Sequence, residues 1–135
     1  MGKKITEIEG IGPSYAQKLA EVGIKTVEDL LEKGATAKGR EEIAEKTGIP
    51  KKVILGWVNK ADLMRIRGVG EEYADLLEAA GVDSVPELAR RNSQNLYQKI
   101  KEVNEEKKLV RQIPSEKQIE KWIAQAKELP KVVSH

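Results

Sequence analysis

Two short glycine turns are the residues of this sequence with the clearest chemical potential. Gly10-Ile11-Gly12 and Gly68-Val69-Gly70 each place two glycines around one aliphatic residue. Glycine lets the backbone turn sharply between helices, while the aliphatic residue anchors in the core. The amides of such a turn point outward at a helix N-terminus, where the helix dipole favours an anion. Each turn is therefore a candidate anion-binding site.

The two turns belong to an internal repeat. A shift of 58 residues aligns 8–31 with 66–89, and nine of the 24 aligned positions are identical. We infer a duplication, with a first copy at 1–62 and a second copy at 63–135. An amphipathic helix at about 50–66 is shared by both copies, so we expect them to pack as one compact domain.

Every element that positions the turns is predicted to be a helix. Pro13 suits a first helical position, and Gly23 is a candidate left-handed C-cap. Thr26 and Asp29 have the spacing of a capping box. Longer helices are predicted near 37–47, 50–66, 94–108 and 115–128, and no stretch alternates with period two for long enough to form a strand. The fold class is therefore all-α, with Trp57 and Trp122 packed in the core of their copies.

The first turn and its flanks resemble a known DNA-binding motif. The segments GIGPSYAQK at 10–18 and GIKTVEDL at 23–30 resemble the thumb-type hairpin of family X DNA polymerases. With both copies, the chain is similar to a tandem helix-hairpin-helix family catalogued as a domain of unknown function. This resemblance implies that hairpin amides and a nearby Lys grip DNA backbone phosphates without reading sequence. It also implies a monovalent cation on the hairpin carbonyls.

Carried onto this sequence, the resemblance gives a set of nucleic-acid contacts. In the first copy they are Gly10, Ile11, Gly12, Ser14, Lys18 and Lys25, and in the second Arg67, Gly68, Val69 and Gly70. The glycines have a structural role in any interpretation. Lysines on a helix face are commonly just solvated, and that alternative stays open for both lysines of the first copy.

The second turn departs from the phosphate-binding pattern. Three carboxylates occupy positions that are uncharged in the first copy: Glu71, Glu72 and Asp75. Carboxylates in a first helical turn stabilise their own helix but repel an approaching phosphate. Arg65 and Arg67 precede the turn and offset this in part. We therefore expect the first turn to be the main binding site.

Composition excludes several classes of protein. The chain has 24 basic and 22 acidic residues in 135, so its net charge of +2 does not by itself indicate a nucleic-acid partner. It has no Cys, and its single histidine is His135, which removes thiolate and imidazole chemistry. The longest aliphatic run, 53–55, is too short to cross a bilayer. We expect a soluble, cytoplasmic protein with no catalytic activity and no membrane partner.

These observations lead to one leading function and one alternative. The leading function is weak, sequence-independent binding of nucleic acid, with duplex DNA as the first candidate, through backbone phosphates. No cofactor is expected beyond the monovalent cation that the resemblance implies. The alternative is a protein-interaction or scaffold module that kept the fold without nucleic-acid binding.

Overall fold

The computed structural model describes residues 2–135, and these residues form an all-helical structure. A short 3-10 helix at Ile5–Glu7 precedes the α-helices. Their bounds are α1 (Pro13–Glu21), α2 (Val27–Lys33), α3 (Ala37–Thr47), α4 (Lys51–Leu63), α5 (Glu71–Ala79), α6 (Val85–Ala89), α7 (Ser93–Lys107) and α8 (Glu116–Glu128). The only β-type pairing among the described residues is an isolated bridge between Lys4 and Thr26. The all-α prediction is confirmed.

The chain divides into two compact units. The first contains residues 2–62 together with Val132–His135, and the second contains Leu63–Lys131. The sequence-based division assigned residues 132–135 to the second copy, whereas the structure places them in the first unit. No helix within residues 2–135 has both the length and the apolarity that a bilayer crossing requires.

Local capping patterns determine where the helices of the first unit begin and end. The Thr26 hydroxyl accepts from the Asp29 amide, and the Asp29 carboxylate accepts from the Thr26 amide, which confirms the predicted capping box. Gly23 has φ +83° directly after the last turn of α1, as predicted. Aliphatic side chains from the 3-10 helix, α1, α2 and α4 fill the core of this unit. The helices are therefore held by the caps at their ends and by an aliphatic core on their inner faces.

A buried arginine joins the tail residues to the first unit. Arg40 is only 6% exposed, and its guanidinium donates to the carbonyls of Gly34, Ala35 and Ser134. The Ser134 amide in turn donates to the Ala35 carbonyl at 2.8 Å, and the Val133 side chain is buried. These contacts explain why residues 132–135 pack with a unit that is distant from them in sequence.

In the second unit, α8 packs against α6 and α7, and α7 also packs against α5. Ser84 caps α6 through the Glu87 amide, but the Glu87 carboxylate pairs with Arg91 at 3.3 Å. Asn104 closes the loop after α7, because its side-chain amide bonds the Val110 backbone in both directions. The unit is therefore built around α8, which presents one face to its core and the other to solvent.

The helix predicted at 50–66 is shorter than expected. It spans Lys51–Leu63 and is followed by a turn in which the Ile66 amide donates to the Leu63 carbonyl. A second such bond joins the Val69 amide to the Ile66 carbonyl at 3.1 Å. The early end lets the chain fold so that Ile66 and Val69 are both buried ahead of α5.

Candidate functional site

The first glycine of each turn adopts a backbone conformation that favours glycine. Gly10 has φ +94° and Gly68 has φ +90°, both in the left-handed region. The next residue in each turn, Ile11 or Val69, is buried in the core of its own unit. The predicted shape of the two turns, a sharp bend with an aliphatic anchor, is therefore confirmed.

A tryptophan lies directly against each of these glycines. A Cβ at Gly10 would stand 3.4 Å from Nε1 of Trp57, and a Cβ at Gly68 would stand 3.1 Å from Nε1 of Trp122. Both tryptophans are buried, as predicted, which leaves no indole face free for base stacking. The sequence analysis did not anticipate this glycine–tryptophan contact, although both residues occur in both copies of the repeat.

The second glycine of each turn has no such requirement. Gly12 (φ −86°, ψ −174°) and Gly70 (φ −93°, ψ −166°) have ordinary extended conformations at the N-caps of α1 and α5. A Cβ at either position would meet nothing within 4 Å. Ser, Thr, Asp or Asn would be a better N-cap than glycine, because each carries a side-chain acceptor. Neither the backbone nor the packing within a unit therefore accounts for glycine at these two positions.

The start of α1 has backbone donors without a cap. No side chain among residues 2–135 caps this helix, and Pro13 at its first position has no N–H. The first free amides are those of Ser14 and Tyr15, which belong to the set that a helix cannot satisfy internally. They provide two donors and the positive end of the helix dipole next to the open space at Gly12.

Tyr15 lies in the first turn of α1, and Lys18 follows it three residues later, in the last turn of this short helix. The Lys18 ammonium lies 6.0 Å from the centroid of the Tyr15 ring, and the tyrosine is 36% exposed. Helical side chains lean toward the N-terminus, so the Lys18 side chain points toward the turn. The ring of Tyr15 also packs edge-on against Trp57 at 5.2 Å between centroids, which fixes its position. Lys18 therefore lies beside the Tyr15 ring, and its contact with a phosphate stays a prediction.

Lys25 lies at the opposite end of α1. It follows Gly23, which ends that helix, and nine residues of α-helix span about 13 Å. Its amide donates to the Asp29 carboxylate at 3.0 Å, and its carbonyl accepts from the Ile5 amide at 3.2 Å. The bond from the Lys25 amide is the main cause that lowers the pKa of the Asp29 carboxyl, with Thr26 contributing as well. The structure therefore separates Lys25 from the Gly10–Gly12 turn.

Acidic residues flank the two turns in different places. In the first unit Glu9 directly precedes the turn, and in the second unit Glu71 and Glu72 directly follow it, in the first turn of α5. The uncapped amides of α1 therefore have a neutral first turn, whereas those of α5 already have two carboxylates. The expected difference in phosphate binding between the two turns stays a prediction.

Arg67 is held away from the α5 amides. Its backbone N–H donates to Oε1 of Gln125 at 2.9 Å, and its side chain lines a cleft of about 520 Å³ that Arg65 and Lys121 also line. Lys121 was missed by the sequence analysis. Its spacing from Gln125 and Glu128 on one face of α8 was the only signal available. The cation at a hairpin carbonyl stays a prediction.

The structure defines an all-helical protein with a duplicated glycine turn, and each turn leads into a nine-residue helix. The chain belongs to the family described as Domain of unknown function (DUF4332), whose model matches residues 9–129. The matched range includes both turns and both tryptophans. No solved structure matches the chain significantly. The helix-hairpin-helix resemblance stays a prediction.

Proposed function

We propose that this protein binds nucleic acid, with duplex DNA as the first candidate, weakly and without sequence preference, through backbone phosphates at the Gly10–Gly12 turn. The observation that carries the proposal is that neither the backbone conformation nor the packing of its unit requires glycine at position 12. Open space at its Cα lets a phosphate approach the amides of Ser14 and Tyr15 closely. A side chain at this position would block that approach or would bond the same amides.

The groups at the site suit a phosphate better than a base. Two backbone amides and the Lys18 ammonium are donors that phosphate oxygens accept in any sequence. Both tryptophans are buried, so the site has no indole platform on which to stack a base. Contacts to phosphates position a protein on a duplex but carry no sequence information, so binding at this turn is sequence-independent.

The local charges keep this binding weak. Lys18, beside the Tyr15 ring, is the one cationic residue of α1, and Glu9 precedes the turn. Each neutralised phosphate contributes a slope of about −0.9 to log affinity against log salt for duplex DNA. A site of this size should give a slope of roughly −2 to −4 on the same rule.

A protein-interaction module is the second candidate function. The observation that favours it is the second turn, which keeps the same backbone while Glu71 and Glu72 occupy the first turn of its helix. A turn retained with carboxylates in place of an anion site is consistent with a role in the fold alone. In that case the first turn would not bind phosphate either.

Serine at the second glycine separates the two candidates. In Gly12→Ser the hydroxyl would accept from the Tyr15 amide, as Ser115 accepts from the Gln118 amide at the start of α8. The variant should keep or slightly raise the stability while duplex affinity, measured by fluorescence anisotropy at low salt, falls about tenfold. Gly70→Ser makes the same change at the second turn and should leave the affinity unchanged.

Two results would contradict the proposal. One is a Gly12→Ser protein that binds duplex DNA as well as the unmodified chain does. The other is the absence of any binding by the unmodified chain at low salt, which would favour the protein-interaction module.

A further inference from the structure

A charged cleft in the second unit has chemistry that the two turns do not explain. It lies between the segment that leads into the second turn and α8, and its volume is about 520 Å³. Its wall carries three cationic side chains and one carboxylate: Arg65, Arg67, Lys121 and Glu128. Ala124 and Leu129 add an apolar part to the same wall.

Hydrogen bonds to α8 and to the residue that follows it build this cleft. The Arg67 amide donates to Oε1 of Gln125 at 2.9 Å, which fixes the segment against the middle of α8. At the end of the helix, Nη2 of Arg65 donates to the Pro130 carbonyl at 2.8 Å. The distance between the two walls is therefore set by the fold and does not depend on a ligand.

Arg67 and Lys121 are not neutralised by the acid beside them. Among residues 2–135, the side chains of Arg67 and Lys121 make no hydrogen bond or ion pair, and Glu128 pairs with neither. Gln125 uses only its Oε1 atom in the bond to Arg67, so its Nε2 group is a further donor on the wall. The Arg67 guanidinium, the Lys121 ammonium and the Gln125 Nε2 group therefore line the cleft as donors without an acceptor in the part of the chain that the structure describes.

The first copy of the repeat carries no cation at the corresponding positions, and two of the three are acidic. Aligning the two turns and the two tryptophans pairs Arg65, Arg67 and Lys121 with Glu7, Glu9 and Gly56. The cationic wall is thus specific to the second copy and is not a general property of the repeat. It also lies in the copy whose turn is occupied by carboxylates.

We propose that this cleft binds a phosphate group. The planar guanidinium of Arg67 can donate two parallel bonds to phosphate oxygens, and the Lys121 ammonium adds a mobile point charge. The Nε2 group of Gln125 supplies a neutral donor between them. The two cations of the wall without a partner among the described residues, Arg67 and Lys121, match the charge of a phosphate dianion. Ala124 and Leu129 can contact the carbon skeleton that carries it.

This proposal does not rest on the function proposed for the first turn. The phosphate can belong to a small phosphorylated molecule or to a nucleic-acid backbone, since the donors are the same for both. The two sources are separated by using inorganic phosphate as one probe and duplex DNA as the other.

The first arm titrates the full chain with inorganic phosphate at constant ionic strength, followed by 1H–15N NMR. The amide of Arg67 and the side-chain amide of Gln125 should shift in a saturable way. The double variant Arg67→Gln with Lys121→Gln should lower the affinity about five- to tenfold. Its fold is retained, because the bond from residue 67 to Gln125 is made by the backbone. Glu128→Gln should raise the affinity about two- to threefold.

The matched control is Arg111→Gln with Lys127→Gln. It makes the same charge change at two exposed residues of the second unit that do not line the cleft. Its affinity for phosphate should stay within about twofold of the unmodified chain. Gly12→Ser should leave the shifts at the cleft unchanged, so a failure at the first turn can be told apart from a failure here.

The second arm measures duplex DNA binding by the same two double variants. Saturable shifts with inorganic phosphate are expected for either source. A larger loss of duplex affinity in the cleft variant than in the control then assigns the phosphate to nucleic acid, and equal losses assign it to a small phosphorylated molecule. The proposal is overturned if inorganic phosphate gives no saturable shift and both double variants lose the same duplex affinity.

Discussion

Gly68 and Trp122 meet with no side chain between them, because a Cβ at Gly68 would lie 3.1 Å from the indole Nε1. Gly10 and Trp57 stand in the same relation in the first unit, at 3.4 Å. The tryptophan comes from the last helix of its copy, α4 or α8, and the glycine from the turn ahead of α1 or α5. This pair therefore fixes the turn against a helix that is distant in sequence.

The two glycines of one turn should differ sharply in their tolerance of a side chain. In Gly68→Ser a residue with a Cβ must hold φ near +90° against Trp122, which costs about 1–3 kcal/mol of unfolding free energy. Gly70→Ser adds a capping hydroxyl in open space and should be neutral or stabilising by a few tenths of a kcal/mol. Urea denaturation of the two variants measures this difference. Equal losses would contradict the glycine–tryptophan argument.

The guanidinium of Arg40 should contribute strongly to the stability of the first unit. It donates to three backbone carbonyls, and burial lowers its pKa without discharging it. Arg40→Met removes those donors and should cost about 3 kcal/mol, since hydrogen bonds to charged groups contribute roughly 1.5–3 kcal/mol each but do not add fully. Lys38→Met, an exposed change on the same helix, is the matched control. An equal unfolding midpoint for both variants would show that the carbonyls do not depend on Arg40.

The capping box at the start of α2 should make stability depend on pH. Hydrogen bonds from the amides of Lys25 and Thr26 lower the pKa of Asp29 below its ordinary value of 3.8. A carboxyl with a lower pKa in the folded state stabilises the protein above its unfolded pKa, and this contribution is lost as the pH falls through the folded pKa.

Asp29→Asn removes this dependence. The thermal midpoint of the unmodified chain should exceed that of Asp29→Asn at about pH 6. The gap should begin to narrow near about pH 4 and should close as the pH falls through the lower pKa of the folded state. Glu32→Gln neutralises an exposed acid on the same helix and serves as the control. A gap that is constant with pH would refute the capping bond as its cause.

The sequence predicted the elements whose signals are local. The capping box of Thr26, the positive φ of Gly23 and the bend at each glycine turn all depend on residues within about four positions, so they can be recognised one at a time. Burial of the two tryptophans also followed from their places on amphipathic helices. These features account for the starts of α1, α2 and α5 and for the end of α1.

The features that could not be predicted join residues far apart in the chain. The Arg40 guanidinium reaches Ser134 across 94 positions, and the Arg67 amide reaches Gln125 across 58. A pattern of helices does not determine which faces meet, so neither the tail contact nor the cationic cleft can be recognised from spacing. Lys25 was assigned to the first turn because it is close to that turn in sequence. In the structure it follows the far end of α1.

Reversing the charge of the second turn should create a phosphate site. Glu71→Lys with Glu72→Lys should raise duplex affinity and steepen the salt slope by up to about two contacts. Basic residues in a first helical turn oppose the dipole and should lower stability by roughly 0.3–1 kcal/mol each. Glu105→Lys with Glu106→Lys makes the same charge change at the end of α7 and is the control for total charge. Anisotropy titrations over a range of salt concentrations compare them, and equal gains would mean that the turn has no special role.

The two lysines of the first copy should respond differently to charge reversal. The Lys18 ammonium lies 6.0 Å from the Tyr15 ring, whereas Lys25 follows the far end of α1, a nine-residue helix about 13 Å long. At 0.1 M salt the Debye length is about 10 Å, so we expect the Lys25 charge to be largely screened from the first turn. Lys18→Glu should therefore weaken duplex binding about tenfold and flatten the salt slope by about one contact or more. Lys25→Glu should change the affinity only about twofold, as should Lys107→Glu on α7. All three should retain the helical circular dichroism of the unmodified chain. A ranking in which the three variants lose the same affinity would show that binding follows total charge, and the phosphate site at Gly10–Gly12 would have to be abandoned.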